Sequence, residues 1–202
     1  LKVFNMRSSR NLTELPNLSQ SRKLEHINLV YCTSLVEVPS YFQHLHKLTF
    51  LELAWCTSLK YLPKMPGNIE YLSLRGSGIK ELPPSVWSHQ KISSLDIGDC
   101  RDLKKLPNNS CKLKVSGYFS LEYCSSLDEF SELPRDISVL DLTGTSIEVL
   151  PISSMECLIS LTTIKLNDCE RLVTLPPSIC KLKSLKELDL TGCSKFKNFP
   201  EI

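Results

Sequence analysis

Nine cysteines and four histidines are the side chains of this 202-residue sequence best suited to bind a metal or to act as nucleophiles. A zinc site needs several such ligands close together, and a catalytic thiol must be an accessible thiolate. His44 and His46 lie two residues apart with no third ligand in view, which favours a solvated surface. The sequence also lacks a nucleotide-binding glycine pattern and a pair of carboxylates that stands out as an acid–base couple. We therefore predict a chain that is not an enzyme and that uses no metal or cofactor.

Six of the cysteines recur at a single position of an internal repeat, which predicts a structural role for them. The residues at this ladder position are Cys32, Cys56, Cys100, Cys124, Cys169 and Cys193, with Ser9, Ser77 and Thr145 in the remaining repeats. A small polar side chain at this position turns inward and bonds neighbouring backbone. Adjacent strands lie about 4.8 Å apart, so neighbouring cysteines could bridge, but a disulfide needs specific geometry and Ser77 and Thr145 interrupt the series. We expect reduced, buried thiols in a reducing compartment, with disulfides as the alternative.

The repeat that positions these residues is most complete in the segment 48–63, which reads L-x-x-L-x-L-x-x-C-x-x-L-x-x-L-P. Only Leu51-Glu52-Leu53 alternates like a strand, and the spacing of the other apolar residues fits neither a helix nor a strand. Repeats of 21 to 24 residues begin at Leu1, Leu24, Leu48, Ile69, Ile92, Ser116, Ile137, Leu161 and Leu185. This period is the signature of leucine-rich repeats. It predicts an α/β solenoid, a horseshoe of about nine repeats with a concave parallel β-sheet and a mostly irregular or short-helical convex side.

The repeats occupy the whole sequence, so we expect residues 1–202 to form one elongated domain. Leu1 is already in register and the sequence ends at Ile202 before the last coil closes. Solenoids need capping repeats at their ends, which predicts a fragment of a longer chain with both caps missing. A net charge of +2, with 24 basic and 22 acidic residues, gives no reason to expect a nucleic acid or membrane partner.

Three departures from the repeat carry structural predictions. Phe42 and Leu45 are spaced for a short helical turn on the convex side, and Ile179 and Leu182 repeat that pair. The prolines of the segment 63–66 disfavour helix where the return to the fourth repeat is short. The sixth repeat begins at a serine and lacks the closing Leu-Pro, so we expect a local bulge or shift there.

The side chains between the inward leucines must face outward on the concave sheet, and they form the candidate binding site. The N-terminal half presents aromatic and charged residues that later repeats continue more sparsely. The predicted partner-binding residues are His26, Tyr31, Phe50, Glu52, Trp55, Tyr71, Arg75, Tyr118 and Tyr123. Exposed aromatic rings beside charges are typical of hot spots in protein interfaces. A protein partner is the leading interpretation; the alternatives are packing on another domain of the same chain, or rings that cover one another.

Two repeat variants resemble those of a known family. The first is L-x-x-C-x-x-L-x-x-[LV]-P, found at Leu29–Pro39, Leu53–Pro63 and Leu166–Pro176; the second is L-x-G-T-x-I-x-x-L-P, found at Leu142–Pro151 and, with serine for threonine, at Leu74–Pro83. Together they resemble the repeat domain of plant intracellular nucleotide-binding leucine-rich-repeat (NLR) disease-resistance receptors with an N-terminal TIR domain.

The resemblance implies a role in innate immunity. In that family the repeat domain senses a pathogen effector, directly or through a guarded host protein, and helps to hold the nucleotide-binding domain inactive by intramolecular contact. Recognition then starts defence signalling. The resemblance further implies a location in the cytoplasm or nucleus, and it places any NAD-cleaving or nucleotide-hydrolysing activity in domains outside these residues.

Two rival interpretations belong to other classes. The ectodomain of a cell-surface receptor would carry glycans on the sequons at Asn11, Asn17 and Asn108, and the cysteine ladder counts against it. The substrate-recognition repeats of a bacterial ubiquitin ligase are also rich in Leu-Pro, but they run to about 20 residues and carry asparagine at the ladder position.

Overall fold

The computed structural model describes residues 1–130, 132–151 and 155–200, and each of the nine predicted repeats contributes one strand. The strands are β1 (Val3–Asn5), β2 (His26–Asn28), β3 (Phe50–Glu52), β4 (Tyr71–Ser73), β5 (Ser94–Asp96), β6 (Ser116–Ser120), β7 (Asp136–Asp141), β8 (Thr163–Lys165) and β9 (Glu187–Asp189). Every strand pair is parallel and joins consecutive repeats. The predicted leucine-rich-repeat solenoid is confirmed.

Most strands are only three residues long because a single inward side chain anchors each one. Ile27, Leu51, Leu72 and Leu95 stand in register across four neighbouring strands and are buried. One hydrophobic core extends through the described repeats from Leu18 to Leu182. The residues on either side of each anchor point to the other face of the sheet, since side chains alternate along a strand. The core therefore fixes which residues reach the concave surface.

The sheet is divided into β1–β5 and β6–β9, at the irregular sixth repeat. The register of β6 against β7 shifts between Gly117 and Tyr118, in agreement with the expected bulge. Leu113 and Val115 are buried and supply the apolar contacts that the serine at the start of the repeat cannot. The backbone N–H of Asp99 still donates to the carbonyl of Glu122 at 2.8 Å, so a hydrogen bond crosses the division.

The convex side carries short helical turns. The segments Ser40–His44 and Pro177–Lys181 are 3₁₀ helices that bury Phe42 and Ile179, as the paired apolar residues predict. Segment 63–66 has no helix, also as predicted. A helical turn not foreseen from the sequence, α1 (Pro84–Trp87), lies on the convex side of the fourth repeat. Its first position is a proline, which is favoured there, and it buries Trp87 completely. No helix among the described residues has the length and apolar character needed to span a bilayer.

Candidate binding face

The ladder residues hold the backbone beneath the concave face. Each of the six ladder cysteines is a free thiol whose Sγ donates to a backbone carbonyl of the preceding repeat at 3.0–3.2 Å. Burial raises the pKa of Cys56 to about 12 and that of Cys100 to about 11, so both thiols stay protonated and able to donate. The hydroxyl of Thr145 donates to the carbonyl of Leu142 at 2.8 Å, and Ser77 Oγ lies 3.7 Å from the Sγ of Cys100. The ladder cysteines and Thr145 thus bond backbone carbonyls, whereas Ser77 contacts a side chain.

The residue before each ladder position has a left-handed backbone. The residues with this positive φ are Ser8, Tyr31, Trp55, Gly76, Asp99, Tyr123, Gly144, Asp168 and Gly192. Glycine adopts this conformation without strain, and asparagine or aspartate does so more readily than bulky residues. Because Gly76 and Gly144 fill the same position, the fold does not require an aromatic residue there. Tyr31, Trp55 and Tyr123 therefore occupy this position at a cost in backbone energy.

The predicted aromatic residues of the N-terminal half form two rows on the face. In the first row, the Phe50 ring lies 5.5 Å from the His26 ring and stacks on Tyr71 at 4.3 Å between centroids. In the second row, Tyr31 stacks on Trp55 at 6.1 Å. The rings thus cover one another in part: Phe50 and Trp55 are half-buried, whereas Tyr31 keeps 39% of its surface exposed.

Trp55 lies flat because the next repeat has a glycine beneath it. A Cβ atom on Gly76 would come within 2.3 Å of the Trp55 ring. Tyr123 has the same relation to Gly144, where a Cβ would lie 2.9 Å from the tyrosine ring. The absence of a side chain at each of these glycines therefore leaves room for the aromatic ring of the preceding repeat to pack against the backbone.

Tyr118 forms a charged cluster on the C-terminal half of the face. It is 52% exposed and its hydroxyl donates to Asp141 Oδ2 at 2.9 Å. Lys165 Nζ lies 3.4 Å from the same carboxylate oxygen and 5.6 Å from the centroid of the Tyr118 ring. Burial alone would raise the pKa of Asp141, but hydrogen bonds from Thr143 and Tyr118 and the charge of Lys165 together lower it.

Arg75 is held by three carboxylates in the middle of the face. Its guanidinium contacts Asp99 at 2.8 Å, Asp96 at 3.6 Å and Glu122 through a short hydrogen bond. Burial would lower the pKa of Arg75, but these partners raise it above its ordinary value. A Cβ on Gly98 would lie 2.7 Å from Arg75 Nη1, so that glycine leaves room for the guanidinium. Arg75 was predicted to bind a partner, and the structure places it in an intramolecular network.

In six of the nine repeats, the residue after the inward anchor has a backbone role that the sequence reasoning missed. The side-chain oxygens of these residues accept a hydrogen bond from the backbone N–H two residues later, at 2.9–3.1 Å, in Asn5, Asn28, Asp96, Ser120, Asp141 and Asp189. The recurrence of Asn, Asp or Ser two residues before a tight turn was the available signal. Glu52 departs from this pattern, and its carboxylate instead accepts the Tyr71 hydroxyl at 2.9 Å.

The structure therefore places the nine predicted partner-binding residues in two groups on one face: seven belong to the repeats of β2–β4, and Tyr118 and Tyr123 belong to the repeat of β6. His26, Phe50 and Tyr71 are direct neighbours in the sheet register. Tyr118 belongs to the second group and pairs with Val139 of the next strand. That these residues bind a partner stays a prediction.

No family model matches the chain, but curated relatives align over nearly all of it. Disease resistance protein RPS6 of Arabidopsis thaliana is 37% identical over 207 residues, which cover 100% of this chain and 18% of that protein. Protein SUPPRESSOR OF npr1-1, CONSTITUTIVE 1 is 33% identical and covers 100% of this chain and 17% of that protein. Disease resistance protein RPS4B is 32% identical, with 100% and 17% covered; both are also from Arabidopsis thaliana.

The chain is a leucine-rich-repeat domain of the plant disease-resistance type. It spans less than a fifth of the length of these relatives. Among solved structures, the leucine-rich-repeat domain of the type III effector XCV3220 (XopL) is 24% identical with a TM-score of 0.56, covering 99% of this chain and 64% of that one. The TLR13–ssRNA13 complex is 18% identical with a TM-score of 0.50, covering 100% and 37%. These structural likenesses show that the disease-resistance-type domain shares their fold, and no more.

Proposed function

We propose that this domain is the protein-recognition module of an intracellular plant immune receptor. Its relatives are disease-resistance proteins, and the observation that carries the proposal is the pair of aromatic rows on the concave face. Tyr31 and Trp55 occupy a backbone conformation that glycine fills elsewhere in the same chain, which supports a binding role for their rings. Aromatic anchors beside charged groups are the residues that dominate binding energy in protein interfaces.

The recognised partner is a pathogen effector or a host protein that the effector modifies. Nine strands at about 4.8 Å spacing give a sheet about 38 Å across, which is wide enough for a folded protein. The domain also contributes to autoinhibition through contact with the nucleotide-binding domain of the receptor. The chemistry of nucleotide hydrolysis or NAD cleavage lies in domains other than this one, and these residues act by binding alone.

The receptor acts in the cytoplasm or nucleus. The six ladder thiols support this proposal because their Sγ atoms donate to backbone carbonyls, a role that a disulfide sulfur could not fill. Cysteines that remain thiols are typical of reducing compartments. Oxidation would remove a hydrogen-bond donor from each ladder position involved.

The test is site-specific photo-crosslinking in the full receptor expressed in leaf tissue. A photoreactive amino acid replaces Tyr31 or Tyr123 on the concave face, and matched variants carry it at Tyr61 or Ile159, which are 66% and 76% exposed and lie outside the strands. We expect a protein adduct from the concave positions that appears or changes on pathogen challenge. Equal adducts from Tyr61 and Ile159, or none from Tyr31 and Tyr123, would contradict the proposal.

A further inference from the structure

The concave face is acidic although the chain as a whole is basic. We define the face as the two residues flanking each inward anchor of a strand and the two residues before each ladder position. Its basic residues are Arg7, Arg75 and Lys165, and its acidic residues are Glu52, Asp96, Asp99, Glu122, Asp141, Asp168, Glu187 and Asp189. Three positive and eight negative charges give the face −5, with His26 neutral, whereas the chain carries +2.

The fold does not need this negative charge. Asp96 Oδ1 accepts the Gly98 N–H at 3.1 Å, and Asn28 Oδ1 accepts the Val30 N–H at the same distance in the equivalent place. A neutral amide thus does the same backbone work as the carboxylate. The left-handed position of Asp99 would likewise accept asparagine or glycine. The carboxylates are therefore in excess of what the repeat geometry requires.

The basic side chains in the middle and C-terminal part of the face are already engaged. Arg75 is shared among three carboxylates, and Lys165 lies against Asp141 and over the ring of Tyr118. The cluster of Tyr118, Asp141 and Lys165 is a complete cation site: a tyrosine donates to a carboxylate, and an ammonium group lies near both the carboxylate and the ring.

The N-terminal half repeats this arrangement without the cation. Tyr71 donates its hydroxyl to Glu52 at 2.9 Å, the same distance as from Tyr118 to Asp141. The strand next to Glu52, on the side away from Tyr71, carries Asn28 at the register position where the second cluster has its lysine. Among the ion pairs found in residues 1–130, 132–151 and 155–200, none includes Glu52. Phe50 stacks on Tyr71 and lies beside this carboxylate in the sheet.

We propose that the partner places a lysine or arginine side chain beside Glu52 and the rings of Phe50 and Tyr71, as part of a basic segment that lies along the concave face. This inference rests on the proposed protein-recognition function and names the chemistry of the partner. The cation of the partner would occupy the place beside Glu52 and Tyr71 that Lys165 occupies beside Asp141 and Tyr118. An ammonium or guanidinium group is attracted both by a carboxylate and by the faces of aromatic rings. The surplus of carboxylates along the sheet then attracts and aligns the rest of the basic segment.

Tryptophan fluorescence gives a direct assay on the 202-residue chain. The sequence has two tryptophans, of which Trp55 lies on the face and Trp87 is fully buried. Two short synthetic peptides serve as probes; they share a glycine–serine backbone and carry either arginines or glutamates at the same places. We expect the arginine peptide to change the Trp55 emission in a saturable and salt-sensitive way, and the glutamate peptide to leave it unchanged. A Trp55→Phe variant verifies which tryptophan reports.

Matched neutral variants locate the site. Glu52→Gln keeps an acceptor for the Tyr71 hydroxyl and removes the charge, whereas Glu81→Gln removes the same charge from an exposed residue outside the face. We expect Glu52→Gln to weaken arginine-peptide binding by about two- to fivefold, the range of a partly exposed ion pair, and Glu81→Gln to leave it within error. Equal effects of the two variants, or equal binding of the two peptides, would overturn the proposal.

A second measurement needs no peptide and does not depend on the partner. Caesium and iodide ions quench tryptophan by collision, and an acidic face concentrates the cation and repels the anion. We normalise the quenching by each ion to its quenching of free N-acetyltryptophanamide. On that scale we expect caesium to quench Trp55 more strongly than iodide at low salt, with the difference reduced in Glu52→Gln. The opposite order refutes the charge argument even where crosslinking from Tyr31 captures a partner. A positive peptide result without such crosslinks would instead contradict the proposed function.

Discussion

Replacing Gly76 by alanine should displace the Trp55 ring from its position against the backbone of Gly76 and destabilise the domain. Gly76 has φ +64°, where a side chain with a Cβ costs about 1–2 kcal/mol. The added methyl would lie 2.3 Å from Trp55 Cε3, a contact that only a shift of the ring or backbone can relieve. Overpacking of this kind costs about 1–3 kcal/mol. We expect the free energy of unfolding to fall by about 2–5 kcal/mol from the two effects.

Two other glycines in the chain separate these contributions. Gly117 also has a positive φ, +78°, but nothing lies within 4 Å of the Cβ it would gain, so Gly117→Ala carries the backbone effect alone. Gly67 has neither feature, and Gly67→Ala should be nearly neutral. Urea unfolding followed by circular dichroism measures all three, provided that the m-values agree. Trp55 emission should shift to longer wavelength only in Gly76→Ala, because only there does the ring move into water.

A double-mutant cycle tests the cause. In a Trp55→Ala background the ring is absent, so Gly76→Ala should lose its overpacking effect and match Gly117→Ala. If Gly76→Ala and Gly117→Ala are equally destabilising with Trp55 present, and the emission does not shift, then the ring does not rest on Gly76 and the reasoning is refuted.

Three further perturbations probe the scaffold and the face. Cys124→Ala should lower the free energy of unfolding by about 1–3 kcal/mol, because the buried carbonyl of Ile97 loses the thiol that donates to it at 3.1 Å, and Cys124→Ser should recover part of that loss in urea unfolding. Leu53→Ala removes a fully buried side chain and should cost about 2–5 kcal/mol in the same assay, with a smaller loss contradicting its place in the core. Burial and the nearby Glu52 carboxylate raise the pKa of Tyr71 to about 12, above its ordinary value near 10. The stability that this tyrosine contributes is therefore present below pH 10 and is lost as the pH rises through 12. Ultraviolet titration of Tyr71→Phe should show one fewer phenol that ionises at high pH, and an unchanged titration curve would argue against the contact between Tyr71 and Glu52.

The solenoid could be predicted from the sequence because each repeat position accepts few residue types. Contacts with adjacent repeats restrict the inward leucine, the small polar ladder residue and the closing Leu-Pro. Their regular spacing can therefore be recognised in the sequence. The irregular sixth repeat was visible for the same reason: Ser116 stands where the pattern requires an apolar residue. The helical turn at Pro84–Trp87 was not foreseen, since its only local signal is a pair of prolines that also suits an extended segment.

Strand alternation was enough to predict which residues belong to the binding face. It could not predict the contacts that the side chains of those residues make with one another. The sequence predicted Arg75 and Glu52 on the face, yet it could not show that Arg75 is held by three carboxylates while Glu52 accepts a tyrosine hydroxyl. Those contacts depend on side chains from neighbouring repeats, 19 to 47 residues apart in the chain. The backbone role of Asp96 could not be predicted for a similar reason. An aspartate on a surface strand looks the same in the sequence whether it accepts a hydrogen bond from a turn or binds a partner protein.

The two kinds of repeat acquire a physical meaning from the glycine contacts. Gly76 and Gly144 belong to the repeats of the L-x-G-[ST]-x-I type, and each lies under the ring of the cysteine-type repeat before it, Trp55 and Tyr123 respectively. A side chain at either glycine position would lift the ring from the sheet. The alternation therefore does more than vary the length of the convex return, since a repeat with a glycine allows its predecessor to lay an aromatic side chain flat on the concave face. The residues before the ladder positions of two successive repeats, such as Trp55 and Gly76, should therefore depend on each other. Exchanging only one of the two residues between repeats should destabilise the fold, whereas exchanging both together should be tolerated.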